Sequence, residues 1–384
     1  MGSILLIIGI ILFIGLVVVH EWGHFMVARR NGVEAEEFGI FFPPRLYKRK
    51  TRKGWLFSIG LLPLGGFVKL KGEHDDDTEP GSFGAASFGK KVKIMLAGVG
   101  MNLLVAVILL TALAWLGMPK LVDNQFTVKN DTHIVKNNVI INYVEPGSPA
   151  DKAGLEARDQ LTEIGNQKVT TADTLGNLTK SLAGHEVAVK YRRDGQVYST
   201  KAKLLSASVV KASLQTNNPK GYIGVIPTEY SLQRSTWSAP VVAVGLTAQF
   251  TGLTFQGLGH ALAGLGGVIA GAVTGNHAAR ENAQTSASSQ VAGPVGIFVI
   301  LKDGSLLGYQ FMLMIIAVIS LTLAIMNILP IPALDGGRVF ILLIARLLKK
   351  PVSAKVEETI VAAGFVLLIG LIILVTVVDV KRFF

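Results

Sequence analysis

The chain has 384 residues, of which 50% are hydrophobic and only 16% are charged, and its mean hydropathy is +0.48. Soluble globular domains carry about 25% charged residues. The composition therefore excludes a disordered chain, a collagen-like chain and an ordinary cytosolic enzyme. The chain has no cysteine, so any metal must be bound by His, Asp or Glu. The net charge of +11 could suggest nucleic acid, but in a membrane chain the placement of the charges matters more.

Four segments are long and apolar enough to cross a bilayer as helices, which takes about 20 residues. They are Ile4–Ala28, Ile94–Met118, Leu306–Leu329 and Ile360–Val378. The first lacks a preceding basic region and a cleavage site, so it is expected to stay in the mature chain within residues 1–30. These segments predict an α-helical polytopic membrane protein with four transmembrane helices.

Basic residues are concentrated in two loops, at 29–53 together with 90–93, and at 338–355. Lys and Arg next to spans mark the cytoplasmic side. Residues 31–93 and the loop before the last span are therefore predicted to be cytoplasmic, and both termini extracytoplasmic. Membrane orientation and contact with anionic lipid account for the basic loops, so membrane lipid is an expected partner and nucleic acid is not.

The region between the second and third spans is predicted to lie outside the cytoplasm. Residues 139–227 indicate a small β-rich domain with a hairpin turn at Asp194-Gly195. Residues 235–279 are uncharged, apolar and rich in glycine. One crossing there would invert the third span, so we expect interfacial helices with no crossing, or two crossings as the alternative. Residues 280–290 are expected to form a loop.

The first apolar helix contains the sequence His20-Glu21-Trp22-Gly23-His24. Two histidines four residues apart on a helix face the same side and can share one zinc ion. Zinc lowers the pKa of water and polarises a peptide carbonyl, and Glu21 is placed to accept the proton. The alternative is chance spacing at a helix end. Ionisable groups in a bilayer cost several kcal/mol unless they are partnered, so a metal site is favoured.

A catalytic zinc needs three protein ligands and one open position. Pro330 and Pro332 break the end of the third span, and broken helices at membrane depth line cavities. Asp335 follows this break, three residues before Arg338, and is the candidate third ligand. The alternative is that Asp335 only caps the helix that follows.

Three motifs together resemble the site-2 protease family of intramembrane zinc metalloproteases, in its bacterial regulatory form with a PDZ domain. They are HEWGH at 20–24, AGVGMN at 97–102 and LDGGR at 334–338, and the resemblance covers nearly the whole chain. The second motif departs from the family pattern, which has proline where this chain has Val99.

The resemblance implies roles for individual residues. His20, His24 and Asp335 would be the zinc ligands and Glu21 the catalytic base. Asn327 matches a family asparagine that helps to hold the substrate, and its alternative is an ordinary hydrogen bond between helices. The implied activity is cleavage of transmembrane segments in single-pass membrane proteins at the inner (plasma) membrane, with anti-sigma factors or remnant signal peptides as substrates.

The external domain also carries a resemblance. Residues 143–155 and 159–164 look like parts of a bacterial PDZ domain, although Arg158 stands where such domains usually have glycine. A PDZ groove binds an extended chain at a sheet edge. The alternative is a spacer or size filter without a bound peptide.

Trp55–Leu70 alternates apolar patches around residues 63–66, which predicts a hairpin. In the family, this position forms a β-loop that dips into the membrane and offers an edge strand to the extended substrate. The residues of that edge would be Gly65, Gly66, Phe67, Val68 and Lys69. The alternative is a cytoplasmic hairpin without substrate contact.

Two other features receive ordinary interpretations. The acidic stretch 73–77 could bind a cation, but a solvated loop is favoured, and His260 is expected to pack or to lie on a polar face. Two further functions remain as alternatives to the protease. A membrane metal carrier would need a continuous polar path through the spans, and an inactive PDZ scaffold would not need Glu21.

Overall fold

The computed structural model describes residues 2–73, 78–122, 124–216, 218–274, 293–350 and 352–383. The chain divides into two compact units. The β unit comprises residues 113–242 with the first two residues of the chain, and the helical unit comprises residues 3–112 and 243–384. The predicted loop at 280–290 and residues 74–77 of the acidic stretch lie outside the described residues.

The elements in chain order are α1 (Gly2–Arg30), β1 (Ala35–Lys50), β2 (Leu56–Leu70), α2 (Phe88–Met95), α3 (Ala97–Leu116), β3 (Met118–Pro119), β4 (His133–Val144), α4 (Pro149–Lys152), β5 (Gln160–Ile164), β6 (Gln167–Lys168), α5 (Ala172–Ser181), β7 (Glu186–Arg193), β8 (Gln196–Lys203), α6 (Ala207–Ser213), β9 (Val225–Arg234), α7 (Ala239–Thr274), α8 (Pro294–Leu307), α9 (Tyr309–Ile328), α10 (Asp335–Leu348) and α11 (Ala354–Phe383).

Among the described residues, five helices are long and apolar enough to cross a membrane, judged by length and composition. They are α1, α3, α9, α11 and the section Ala239–Gly264 of α7. The first four fall within the segments predicted from the sequence or extend them by several residues. The helical character of the four predicted spans is thus confirmed, and the fifth helix adds a candidate.

The two middle predicted spans are interrupted near their beginnings. The second changes from α2 to α3 at Leu96, and the third changes from α8 to α9 at Gly308. Gly308 has a φ of +108°, which side-chain-bearing residues rarely adopt. Apolar residues stand on both sides of each break, so hydropathy gives no sign of either one.

In the described part of the segment 235–279, residues Ala239–Thr274 form one continuous helix, α7, where the sequence predicted interfacial helices. No proline follows Pro240 of the first turn before this helix ends, and its glycines do not interrupt it. The interfacial placement of the segment stays a prediction. Its 26-residue section Ala239–Gly264 reaches the length needed for a crossing. The absence of a crossing here stays a prediction.

The core of the helical unit holds α1 against α8 and α9. Leu16, Leu301, Met312 and Ile316 are buried at its centre, each with at most 3% of its surface exposed. Gly9 lets α1 approach the Met312 side chain, because a Cβ there would lie 2.5 Å from its sulfur. This packing fixes the helix that carries the HExxH motif.

Strands β1 and β2 are each bent, and together they form a small sheet of four arms. Residues 35–40 pair with 66–70, and residues 45–50 pair with 56–60, both antiparallel. Residues 37–40 also face 56–59. Arms 56–60 and 66–70 therefore flank arm 35–40, and arm 66–70 has no strand on its other side among the described residues.

The predicted hairpin within Trp55–Leu70, centred on residues 63–66, is therefore wrong in its pairing, although the chain does reverse direction between the two arms. Its two arms pair with residues 35–40 instead of with each other. The inserted arm contains Phe38, which is 3% exposed, and Glu37, whose carboxylate is hydrogen-bonded by Arg45 and Ser58. The charged and proline-containing sequence of Ala35–Lys50 gave no strand signal.

Burial alone would raise the pKa of Glu37, but the hydrogen bonds from Arg45 and Ser58 outweigh it and hold the pKa below its ordinary value. Glu37 thus stays ionised in the middle of the sheet. Its carboxylate joins the arms 35–40, 45–50 and 56–60.

The β unit is built on a sheet with strand order β3-β9-β4-β5-β7-β8, with β6 paired to β5. Its core includes Val139, Ile141, Leu161, Ile164 and Val189, none more than 1% exposed. The predicted turn between β7 and β8 is confirmed, since Asp194 and Gly195 both have positive φ. The assignment of residues 139–227 as a PDZ domain stays a prediction.

Arg158 has a left-handed backbone conformation that is more common for glycine. Its φ is +79°, in the region that favours glycine. Arg193 donates two hydrogen bonds to Asp159 and one to the Gly154 carbonyl, which fixes both sides of this turn. The turn thus has a backbone conformation that glycine would also adopt.

Candidate metal centre

His20 and His24 lie on one face of α1, one turn apart, and both are buried with 8% and 7% of their surface exposed. Their Nε2 atoms are 3.2 Å apart. Asp335, the first residue of α10, places its Oδ2 atom 3.1 Å from the first Nε2 and 3.2 Å from the second. The described residues contain this one cluster of His, Cys, Asp or Glu side chains that could hold a metal ion.

The three atoms form a nearly equilateral triangle whose size fits zinc. Ligand atoms about 2.0–2.1 Å from a tetrahedral zinc ion lie about 3.3 Å from one another. Asp335 Oδ2 is also buried without a hydrogen-bond partner among the described residues. A buried carboxylate oxygen without a donor is costly, and a cation in the triangle would remove that cost.

Hydrogen bonds to the second ring nitrogens show which atoms are free to bind. Nδ1 of His24 lies 2.7 Å from the carbonyl oxygen of Ile94. A carbonyl only accepts, so Nδ1 carries the proton and Nε2 of neutral His24 offers its lone pair. The Ile94 carbonyl, in the last turn of α2, thus aims His24 at the triangle.

Asn102 performs the corresponding task for His20. Its side-chain amide lies 3.3 Å from Nδ1 of His20, and Asn102 is 1% exposed. The amide oxygen is buried without a partner as oriented. Exchanging its oxygen and nitrogen, which are assigned from hydrogen bonding, gives the oxygen a donor in His20 Nδ1–H. Ser320 of α9 donates to the Asn102 backbone carbonyl at 2.8 Å and holds this residue.

Glycines allow the helices to approach the site closely. A Cβ on Gly98 of α3 would collide with the rings of both histidines. At the start of α10, a Cβ on Gly336 would meet the Ile328 carbonyl, and one on Gly337 would meet the Ile331 carbonyl. The two glycines after Asp335 therefore let α10 fold back against the end of α9.

The Asp335 side chain does not cap its helix. The N-cap position belongs to Leu334, and no side-chain capping bond is made there. The alternative of an Asp335 N-cap is therefore wrong. The carboxylate reaches the histidines instead.

Glu21 lies between the histidines and the free edge of the small sheet. Its carboxylate accepts a hydrogen bond from the Val68 backbone amide and interacts electrostatically with His20, His24 and Asp335. A Cβ on Gly66 would lie 3.0 Å from Glu21 Cγ. The edge arm 66–70 thus passes directly beside Glu21.

The sequence profile of peptidase family M50 matches residues 8–371. The chain belongs to peptidase family M50. This is the site-2 protease family that its motifs resemble. As a member of it, the protein is a zinc-dependent transmembrane metalloprotease.

Relatives of the M50 chain match it over almost its full length. A Clostridium perfringens protein with a provisional zinc-metalloprotease name is 29% identical over 98% of both chains. A Clostridium acetobutylicum protein with a similar provisional name is 28% identical over 98% of this chain and 97% of its own. The zinc metalloprotease RasP of Shouchella clausii is 25% identical over 98% of both chains.

Most of the predicted site residues of the M50 protein lie together. His20, His24 and Asp335 meet in one triangle, with Glu21 beside them. Of the predicted edge residues, Gly66, Phe67, Val68 and Lys69 pair with residues 37–40, while Gly65 lies just before these pairs in β2. Asn327 is half-buried in the last turn of α9, and its role stays a prediction.

Gly98 and Asn102 belong to the motif at 97–102, but neither was predicted to take part in the site. The two residues are four apart on α3, so they face the same side of the helix, as His20 and His24 do on α1. That shared spacing was the available signal. Val99, the departure from the family pattern, lies between these two positions.

Proposed function

We propose that this M50 protein is an intramembrane endopeptidase that cuts transmembrane segments of single-pass membrane proteins. The observation that supports this most strongly is the triangle of buried His20 and His24 with half-buried Asp335, beside Glu21 and a free strand edge. Together these features provide a place for a metal, a base and a docking line for an extended peptide.

The proposed roles follow from the atoms that face the triangle. His20 and His24 would bind zinc through Nε2 and Asp335 through Oδ2. Zinc held there supplies Lewis-acid chemistry, polarising a peptide carbonyl and lowering the pKa of water to about 7. The Glu21 carboxylate accepts the proton of the attacking water and passes it to the nitrogen of the leaving amine.

The proposed substrate lies extended along the arm 66–70. A helical peptide bond is shielded by its own hydrogen bonds, so the cleaved segment must unwind, and an edge strand can supply new backbone partners. The Val68 amide points away from arm 35–40 toward Glu21. Gly65, Gly66, Phe67, Val68 and Lys69 would thus hold the substrate backbone, with Asn327 assisting.

The expected physiological substrates are anti-sigma factors or remnant signal peptides, as the family resemblance implies. Regulated intramembrane proteolysis would then be the process served, with the enzyme in the inner (plasma) membrane and the PDZ domain extracytoplasmic. The metal-carrier alternative has less support because the described residues contain a single metal-binding cluster. The scaffold alternative leaves Glu21 without a purpose.

Cleavage of a model single-pass substrate in detergent tests the proposal. Glu21→Gln should retain zinc and abolish cleavage, because it removes the base and no ligand. Glu186→Gln, an exposed site in β7, is the matched control and should cleave at the wild-type rate. Turnover by Glu21→Gln above a few per cent of wild type would contradict the proposed protease chemistry.

Cysteine labelling tests the orientation in a chain without native cysteine. Cysteine at exposed Gln215 of the β unit should be labelled from outside, and cysteine at exposed Lys50 only after the membrane is opened. The opposite pattern would invert the topology.

A further inference from the structure

A surface cavity of about 550 Å³ lies at the C-terminal end of α1. One wall is formed by α1 residues Trp22, Phe25, Met26, Arg29 and Arg30, and the other by the turn between the arms 45–50 and 56–60. That turn contributes Thr51, Lys53 and Trp55. The volume falls in the range of about 300–1,000 Å³ that suits a small amphiphilic ligand.

The charge of this cavity has one sign. Arg29, Arg30 and Lys53 line it, and no acidic side chain does. In the part of the chain that the structure describes, none of the three makes an ion pair with a carboxylate. Three uncompensated cations around one cavity favour an anion, and phosphate accepts several such donors.

The floor of the cavity is aromatic. Phe25 stacks on Trp22 with ring centroids 5.2 Å apart and meets Trp55 at 4.8 Å. Arg29 lies over the Phe25 ring at 5.3 Å. The indole nitrogen of Trp55 is buried without a hydrogen-bond partner among the described residues. An apolar floor with a cationic rim matches a ligand that is anionic at one end and hydrocarbon at the other.

The turn that carries Lys53 and Trp55 is held in shape. The Thr51 amide and hydroxyl both donate to the Trp55 carbonyl, at 2.8 and 2.9 Å, and the Gly54 amide donates to Thr51. The cavity wall is therefore built independently of any ligand.

We propose that this cavity binds the headgroup and upper acyl chain of an anionic phospholipid. Arg29, Arg30 and Lys53 would hold the phosphate, and Trp22, Phe25 and Met26 would contact the glycerol and acyl chain. Arg and Trp at the end of a membrane helix lie at the depth of lipid headgroups. The site goes beyond proteolysis, since it lies outside the triangle and needs no zinc.

Tryptophan quenching in lipid vesicles measures this binding directly. The chain has four tryptophans, and Trp115→Phe with Trp237→Phe leaves the two that line the cavity. The full-length protein in vesicles would be mixed with increasing brominated phosphatidylglycerol, or brominated phosphatidylcholine, at 0.15 M salt, where exposed charges are screened beyond about 8 Å. Half-maximal quenching should need at least about tenfold less phosphatidylglycerol than phosphatidylcholine.

Two triple variants that each remove three positive charges distinguish binding in the cavity from general electrostatic attraction to anionic lipid. Arg29→Gln, Arg30→Gln and Lys53→Gln together should remove the preference for phosphatidylglycerol. Lys48→Gln, Arg49→Gln and Lys50→Gln remove the same charge from the same loop without touching the cavity, and should shift the midpoint less than about twofold. Equal loss in both triple variants would overturn the proposal.

Two further measurements exclude other occupants. Soluble glycerol phosphate should not displace the brominated lipid, and displacement at matched concentration would show that the apolar floor adds nothing. An acidic cytoplasmic substrate tail could also seek these cations. If a peptide with an acidic tail relieves quenching and phosphatidylglycerol shows no preference over phosphatidylcholine, the lipid assignment is wrong. Zinc content should stay at the wild-type level in both triple variants, so failure here leaves the protease proposal intact.

Discussion

Buried carboxylates occur in both units, and their surroundings differ in a way that separates a metal site from a structural contact. In the β unit, the Asp131 carboxylate accepts four hydrogen bonds, from the backbone amides and hydroxyls of Thr236 and Ser238. Burial alone would raise the pKa of Asp131, but these donors outweigh it and hold the pKa well below its ordinary value. In the helical unit, Asp335 Oδ2 is buried without a hydrogen bond, facing two imidazole nitrogens.

The Asp159 carboxylate of the β unit, like that of Asp131, accepts hydrogen bonds from several donors of its own chain. It accepts two hydrogen bonds from Arg193 and one from the Glu156 amide, and it is 1% exposed. The difference shows that burial of an acidic side chain does not by itself indicate chemistry. What marks the metal centre is a buried carboxylate oxygen that lacks a hydrogen-bond donor and faces two imidazole nitrogens.

The strongest test of this comparison removes one carboxylate of each kind and measures bound zinc. Asp335→Ala should reduce bound zinc from about one ion per chain to near zero, because two imidazoles alone hold zinc poorly. Asp131→Ala should leave zinc unchanged. Elemental analysis of the purified proteins gives the answer. Full zinc in Asp335→Ala would show that the triangle is not the metal site.

The close approach of α3 gives a second test with a matched control on the same helix. Gly98→Ala should weaken zinc binding by about 10–100-fold, because its Cβ would collide with both histidine rings and move them. Gly100→Ala introduces the same methyl group where nothing lies within 4 Å, and should bind zinc normally. Competition with a fluorescent chelator measures both affinities. Equal affinities would mean that α3 does not pack against the histidines.

Substitutions of Asn102 should weaken zinc binding less, and a conservative substitution should restore it. Asn102→Leu removes the partner of His20 Nδ1 and should weaken zinc binding about tenfold or more. Asn102→Asp restores an acceptor and should lie within about threefold of wild type. Cobalt substituted for zinc should show an altered visible spectrum in Asn102→Leu only. A normal spectrum and affinity in that variant would remove Asn102 from the metal centre.

The smallest expected effect on zinc comes from removing the hydrogen-bond donor of Asp159, a carboxylate of the β unit. Arg193→Leu leaves Asp159 without its main partner and should destabilise the β unit by about 1.5–3 kcal/mol. Hydrogen exchange on the full-length protein would register faster exchange in residues 154–164. Zinc content should not change, and a loss of zinc would contradict the distinction between the two kinds of carboxylate.

The sequence predicted the parts of the site that depend on local spacing. His20 and His24 are one helical turn apart, so any helix through them yields the pair. Asp335 could be predicted because prolines 330 and 332 mark a broken helix. Their convergence in space was inferred from the need of a catalytic zinc for a third ligand and from the family resemblance, since spacing along the chain does not fix which helices pack together.

The remaining features depend on tertiary pairing that local sequence does not record. Arm 35–40 enters between the arms 56–60 and 66–70, and its charged residues conceal a strand that is stabilised by the contact of Glu37 with Arg45. The Ile94 carbonyl and the Asn102 amide are chemically ordinary groups until His24 and His20 lie against them. The break at Gly308 is invisible because apolar residues continue through it.

The free edge of arm 66–70 has a consequence for the hydration of the enzyme. Backbone amides and carbonyls without strand partners are not tolerated against lipid tails, and at membrane depth they persist only beside protein or water. In the proposed intramembrane enzyme, the edge next to Glu21 therefore requires a hydrated cleft before any substrate arrives. The strand edge that docks the peptide would therefore also hold water that is available for hydrolysis. An arriving substrate strand would replace this water as the hydrogen-bond partner of the edge.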